Sequence, residues 1–106
     1  MSRKNIVLTS DTRKRLAKMG VQIKNARLRR NISVEEIANK SGVSETTYYA
    51  IEKGKDTVSV GAYAAVLSVL ELDDDIGRIA VDNEGKMKFL ENSLFRRKRA
   101  TCKKYS

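Results

Sequence analysis

Residues 33–54 read SVEEIANKSGVSETTYYAIEKG and contain two helix starts separated by one glycine turn. The first serine and Glu36 fit a capping box, in which the serine oxygen accepts a backbone N–H and the glutamate reaches back to the amide of the cap. Gly42 can take the positive φ that ends a helix, and Ser44 can cap the next helix. The pattern predicts two short helices around a tight turn, with Val43 buried where they meet.

This helix pair has two interpretations. Two helices held at a steep angle present the second as a ridge that fits the major groove of DNA, which is about 12 Å wide. Caps and glycine turns also occur in ordinary helical hairpins, so the alternative is a hairpin within an all-α domain. We expect the second helix to end at Gly54 in either case.

The composition favours a single all-helical domain. The chain has 106 residues, of which 41% are hydrophobic, enough for one modest core. Proline is absent, glycine numbers 6, and apolar residues recur at three- and four-residue spacing. The only β-prone run, residues 6–9 (IVLT), is either an extended arm or a strand that pairs with a partner subunit.

We predict five helices in one compact fold. The first begins near residues 10–11 and ends at Asn31, and Gly20 within it permits a close contact or a break into two segments. The fourth is capped by Ser59, and a short fifth follows residues 73–75, whose aspartates suit the positive end of a helix dipole. The apolar face of the fourth helix should complete the core: Val60, Tyr63, Val66, Leu67 and Leu70.

The expected organisation has three parts. Residues 1–9 form an N-terminal arm, residues 10–85 the helical domain, and residues 86–106 a basic C-terminal extension. The extension carries the like-charge run RRKR at residues 96–99. Because it cannot bury much apolar surface alone, we expect it to become ordered only against a partner.

Positive charge is concentrated at the two ends of the sequence. The formal net charge is +9 and the sequence pI is about 9.9, which fits a polyanionic partner such as nucleic acid. Residues 1–30 hold 10 Lys and Arg against 1 acidic residue, and residues 84–106 hold 8 against 2. Residues 31–83 hold 4 against 10, so the helix pair itself is acidic.

Several classes of function are disfavoured. The chain has no histidine for general-base or metal chemistry and no phosphate-cradling glycine loop, so we expect no catalytic residue, cofactor or metal. The single Cys102 suits a reducing cytosol. No apolar run reaches the length of a secretory signal or a membrane span, so we expect a soluble cytoplasmic protein without a membrane role.

Four motifs, in this order and spacing, resemble the XRE family of phage-repressor-like helix-turn-helix proteins. They are IxxARLRR at residues 23–30, SVEEIA at 33–38, SGVS at 41–44 and IEKG at 51–54. The resemblance spans residues 19–85, about two thirds of the chain. It implies a repressor-like DNA-binding domain whose recognition helix begins at Ser44.

The resemblance also implies roles for individual residues. The side chains that would face base edges are Glu45, Thr46, Tyr49 and Ala50, while Thr47 would meet a phosphate. The full set expected to contact DNA is Ser33, Ser44, Glu45, Thr46, Thr47, Tyr49, Ala50, Lys53 and Lys55. Arg27 and Glu52 would form a partly buried ion pair between the first helix and the end of the recognition helix. Helical spacing, independently of the family, turns Tyr48 and Ile51 inward.

Two departures from the family pattern affect DNA binding. Val34 stands where the family usually has a glutamine that grips a phosphate. The recognition helix has no basic residue before Lys53 at its end. Attraction to phosphates must therefore come from Lys40, Lys53, Lys55, the backbone amides at helix starts and the basic flanks.

Three functional hypotheses follow. The first is a homodimeric, sequence-specific repressor that binds a near-palindromic operator in double-stranded DNA. In the second, the same dimer is an antitoxin that also binds a kinase toxin, because residues 58–61 (VSVG) and 70–73 (LELD) are similar to family members encoded beside Hip-type kinases. The third is a protein-interaction module of the same fold without strong DNA binding of its own.

Overall fold

The computed structural model describes residues 6–82. It contains four α-helices and one 3₁₀ helix, in the order α1 (Ser10–Arg29), α2 (Val34–Ser41), α3 (Glu45–Glu52), α4 (Val60–Val69) and 3₁₀ (Asp73–Arg78). Within the described range there is no strand, and residues 6–9 are in no regular element. The predicted all-α fold with five helices is therefore confirmed.

The first compact unit of the chain ends at Ile76, and a second begins at Gly77. The predicted domain boundaries at residues 9 and 85 stay predictions. The expected ordering of the basic extension falls outside the described residues.

All four α-helices begin with a hydroxyl cap. Each capping oxygen accepts the backbone N–H three residues later, at 3.0 to 3.1 Å. The caps are Thr9, Ser33, Ser44 and Ser59. Such a cap contributes about 1 kcal/mol to helix stability.

The caps agree with one detail of the prediction and correct another. Thr9 caps α1, and the helix begins at Ser10, within the predicted start at residues 10–11. The carboxylate of Glu36 lies 3.3 Å from the ammonium of Lys40 one turn further on, so the capping box keeps its serine half and the glutamate forms a surface ion pair instead.

The helices end where left-handed backbone was expected. Asn31 has a φ of 55° just after α1, and Gly42 has a φ of 76° after α2. Gly54 also has a positive φ, of 67°, but α3 itself ends at Glu52, two residues before the predicted end. These residues reverse the chain in short turns, which lets α2 and α3 pack closely on α1 and α4.

The core is built mainly from the inward faces of α1 to α4. Its largest fully buried side chains are Tyr48, Ile23, Ile37, Ile51, Leu70 and Val66. Val43 is only half-buried, so its predicted burial is wrong in degree, although it packs against the core at the turn. Val60 is 77% exposed because it lies in the first turn of α4, beyond the part of that helix face that the core covers.

Gly20 allows a close approach between α1 and the end of α3. The helix continues without interruption through this residue, so the alternative of a break is wrong and the close contact is confirmed. A Cβ atom at this position would clash with the carbonyl group of Glu52 and with the amide nitrogen of Gly54. All three atoms belong to backbone, which cannot move aside as a side chain can.

Gly20→Ala should destabilise the fold even though alanine is the better helix former. We expect a loss of about 1–3 kcal/mol from forced separation of α1 and α3. Gly61→Ala is the matched control, because Gly61 is exposed in α4 and its added Cβ would meet only the Ser59 oxygen at 3.8 Å. Urea unfolding of both variants makes the comparison, and a Gly20→Ala protein as stable as the control would contradict the backbone contact.

Candidate nucleic-acid interface

Helix α3 is fixed by an inward face of large side chains. Tyr48 and Ile51 are fully buried, three residues apart on the side that faces the core. Their predicted inward orientation is confirmed. The opposite side of α3 faces away from the core, and its side chains range from half-buried to exposed.

A single guanidinium connects α3 to two other parts of the fold. The Arg27 Nε donates to Glu52 Oε2 at 3.0 Å and to the Tyr48 hydroxyl at 3.1 Å. Its Nη1 donates to the carbonyl oxygen of Ile32, just before α2, at 2.9 Å. The side chains of Arg27 and Glu52 are each 10% exposed. The pair therefore joins α1, the start of α2 and the end of α3 inside the protein.

The electrostatics of this cluster favour its present charges. Burial works to lower the pKa of Arg27, but its hydrogen bonds to Glu52 and Tyr48 outweigh this effect and the net pKa is raised. Burial, followed by the nearby Glu52 carboxylate, raises the pKa of Tyr48. The phenol is thus a neutral partner between a cation and an anion, and no buried side-chain polar atom in residues 6–82 lacks a hydrogen bond.

The solvent side of α3 carries a continuous row of side chains, which we name the outward strip. It consists of Thr46, Tyr49, Ala50 and Lys53, spaced three and four residues apart on one helix face. Thr46 and Lys53 are exposed, Tyr49 is 49% exposed and Ala50 is half-buried. Four of the predicted DNA-contacting residues are therefore neighbours on one surface.

The other predicted contact residues occupy different positions. Glu45 is exposed in the first turn of α3, beside the outward strip. Thr47 is half-buried, and its hydroxyl accepts a hydrogen bond from Ser44 at 3.1 Å, so it supports the cap. Lys55 is exposed in the loop after α3, and Ser33 caps a different helix, α2.

An open groove of about 510 Å³ runs beside the N-terminal half of the strip, between α3 and the start of α4. None of its lining residues is charged: they are Gly42, Val43, Ser44, Thr46, Thr47, Ala50, Thr57, Val58, Ser59 and Ala62. Sequence reasoning missed the contribution of the loop and of α4 to this groove. The sequence carries no local signal for the groove, because the groove arises from tertiary packing.

The comparison with protein families agrees with this geometry. A sequence profile described as a helix-turn-helix domain matches residues 18–76, more than half of the chain. The chain belongs to this helix-turn-helix family. A search among curated proteins found no significant match.

Membership of the helix-turn-helix family identifies α2 and α3 as the two helices of the motif. In a helix-turn-helix domain, the second helix of the motif enters the major groove, and its N-terminal residues contact base edges. That helix is α3, whose first turns carry Glu45 and Thr46. The resemblance to the XRE type is supported at the level of this superfamily.

Among the helices of residues 6–82, none combines the length and apolarity that a membrane crossing requires. In the same range, no three potential metal-binding side chains of Asp, Glu, His or Cys cluster together.

Glu52→Gln should destabilise the fold by about 3 kcal/mol, because it leaves the guanidinium of Arg27 buried without its counter-charge. The control is Glu36→Gln, which breaks the exposed pair with Lys40 and should change stability by less than about 0.5 kcal/mol. Urea unfolding at neutral pH measures both. Equal stability of the two variants would mean that the buried pair does not hold α1 to α3.

Proposed function

We propose that this protein is a sequence-specific DNA-binding transcriptional regulator that reads base edges with the outward strip of α3. The observation that carries the proposal is the strip itself, four side chains on the exposed face of a helix whose other face is locked into the core. A rigid support of this kind is what precise contacts to base edges require. Such a regulator acts where the DNA is, so we also propose a cytoplasmic location.

The side chains at the start of α3 favour particular bases. The carboxylate of Glu45 can accept a hydrogen bond from the N4 amino group of cytosine. Thr46 can donate a hydrogen bond or place its methyl group against the methyl of thymine, and Ala50 offers apolar contact alone. No arginine on the strip is available for guanine. The proposed half-site is therefore read chiefly through pyrimidines.

Affinity in this proposal comes from the last residue of the strip and from the loop beyond it. Lys53, which caps the C-terminal end of α3, and Lys55, in the following loop, can reach the phosphate backbone. The N-termini of α2 and α3, capped by Ser33 and Ser44, can offer backbone amides to further phosphates. These contacts hold the domain on DNA of any sequence.

We propose in addition that the regulator is a homodimer and a repressor. One eight-residue helix contacts too few base pairs to define a site in a genome, and two copies related by two-fold symmetry double the number of contacts. The half-sites would then be about 34 Å apart, one turn of DNA. Sedimentation of the protein with and without operator DNA tests the stoichiometry.

The antitoxin role is a narrower proposal. It rests on the similarity of residues 58–61 and 70–73 to Hip-type family members. A kinase-like reading frame beside the gene, and co-purification of its product with this protein, would support the role. A lone gene whose product binds its own promoter would favour an ordinary repressor.

One observation favours the alternative of a protein-interaction module without strong DNA binding. The outward strip has a single cation, Lys53, and the anionic Glu45 lies beside its start. Together with the acidic residues of α2, this limits the attraction of the motif to a polyanion. Absence of a salt-dependent interaction with the DNA upstream of its own gene would favour the alternative.

Thr46 and Lys55 should affect DNA binding in different ways. Thr46→Ala should alter which operator variants bind, by about 1–3 kcal/mol at one position, because Thr46 faces a base. Lys55→Gln should weaken all sequences alike, because it meets a phosphate. A panel of operator variants measured with both proteins separates these effects, and a uniform loss for Thr46→Ala would count against its reading role.

Replacing thymine by uracil in the operator should weaken binding about fourfold at each contacted position, since a buried methyl group contributes about 0.8 kcal/mol. The reason is the uncharged groove beside Thr46 and Ala50, which can receive a methyl group but offers uracil nothing in exchange. Uracil placed outside the half-sites is the control. Equal loss at both places would show that the groove receives no methyl group.

A further inference from the structure

A second cavity, of about 380 Å³, lies beyond the C-terminal end of α3, and we name it the basic pocket. Its lining combines α1 with the loop that follows α3: Arg13, Leu16, Lys53, Gly54, Lys55, Asp56 and Thr57. Three of these side chains are cationic and one is anionic. The pocket therefore has a local charge of +2 (three cations minus one carboxylate) in a domain whose helix pair is acidic.

The loop that carries the lysines is rigidly held. The amide of Lys55 donates to the carbonyl oxygen of Ala50 at 3.1 Å, and the carbonyl of Lys55 accepts from the Tyr63 hydroxyl at 2.8 Å. Gly54 has a positive φ and packs its backbone directly on the backbone of Leu16. The pocket is thus built before any ligand arrives, which lowers the entropy lost on binding.

The charges within the pocket are unequally paired. Arg13 Nη1 lies 3.2 Å from Asp56 Oδ2, and the two side chains are 57% and 23% exposed. Neither Lys53 nor Lys55 has an ion-pair partner among residues 6–82. Because the C-terminal end of a helix is negatively polarised, α3 itself attracts no anion here. The attraction comes from these two ammonium groups and the tethered guanidinium.

We propose that the basic pocket binds a phosphate group and that Asp56 sets the strength of binding by holding and partly neutralising Arg13. Phosphate is favoured over a carboxylate because three separate donors surround an open site, which suits an anion with several acceptor oxygens. The same chemistry is offered by the DNA backbone and by free phosphate. The choice of the DNA backbone as the ligand rests on the proposed DNA-binding function.

The position of the pocket favours the DNA backbone. Lys53 lines the pocket and is also the last residue of the outward strip, seven residues after Thr46 on the same helix face. Those seven residues span about 10 Å at the rise of an α-helix. The major groove is about 12 Å wide. When the first turn of the helix lies against base edges, Lys53 therefore comes close to the phosphates that border the groove.

The test changes the charge of the pocket in both directions. Binding to a random-sequence duplex is measured by fluorescence anisotropy between 50 and 200 mM salt, so that no operator need be known. Asp56→Asn should steepen the plot of log K against log salt by about 0.9, because Arg13 then counts as a full phosphate contact. Lys55→Gln should flatten it by about 0.9. The matched control Asp74→Asn changes an exposed charge elsewhere and should leave the slope unchanged. For Lys55→Gln, the control is the unsubstituted protein.

Inorganic phosphate distinguishes the two sources. It is titrated into the DNA-free protein at constant ionic strength while the amide resonances of Gly54 and Lys55 are followed. Slope changes without saturable phosphate shifts support the DNA backbone as the ligand. Saturable shifts that Lys55→Gln abolishes support a site for free phosphate. This result would establish phosphate binding by the pocket even if the protein binds no DNA and the proposed function fails. Pocket variants that match their controls in both experiments would overturn the proposal.

Discussion

The orientation of α3 depends on the hydrogen bonds of one guanidinium. Arg27 is bonded to the carboxylate of Glu52, to the hydroxyl of Tyr48 and to the carbonyl of Ile32, so one side chain fixes three parts of the chain relative to one another. A lysine could not replace it, because a single ammonium lacks the planar set of donors that reaches partners in different directions. Loss of one partner is therefore costly. Without the carboxylate of Glu52, the positive charge of Arg27 would stay buried and unpaired.

Glu52 is held by α1 at its backbone as well as at its carboxylate. Gly20 lets the backbone of α1 approach the carbonyl of Glu52, and Arg27, two helical turns later on the same face, binds its carboxylate. A glycine inside a helix costs about 1 kcal/mol relative to alanine, which the closer packing must offset. The two contacts together define both the distance and the rotation of α3 against α1. Its outward strip thereby gains a fixed direction.

The sequence predicted what depends on near neighbours and missed what depends on packing. The caps at Ser33, Ser44 and Ser59 could be predicted because the donor lies three residues from the acceptor. The degree of burial of Val43 and Val60 could not, because it depends on where the opposing helices end.

The candidate site divides in the same way. Helical spacing alone places Thr46 and Lys53 on one face of α3, whereas the Arg13–Asp56 contact joins residues 43 positions apart and has no local signal. The Arg27–Glu52 pair was expected only from the family pattern, since its 25-residue separation has no helical or strand periodicity. Tertiary contacts of this kind need either a structure or a family resemblance.

In the proposed function, attraction and discrimination are carried by different residues. The cations lie in the basic pocket and in the terminal segments, where they can attract any phosphate backbone. The start of α3 offers neutral groups and the carboxylate of Glu45, which gains a hydrogen bond only from an amino group such as that of cytosine. Facing the carbonyl oxygen of guanine or thymine, the same carboxylate would be desolvated and repelled. Selectivity then rests on exclusion of wrong bases. Contacts to bases release no counterions. Selectivity should therefore persist at salt concentrations that weaken the total affinity for DNA.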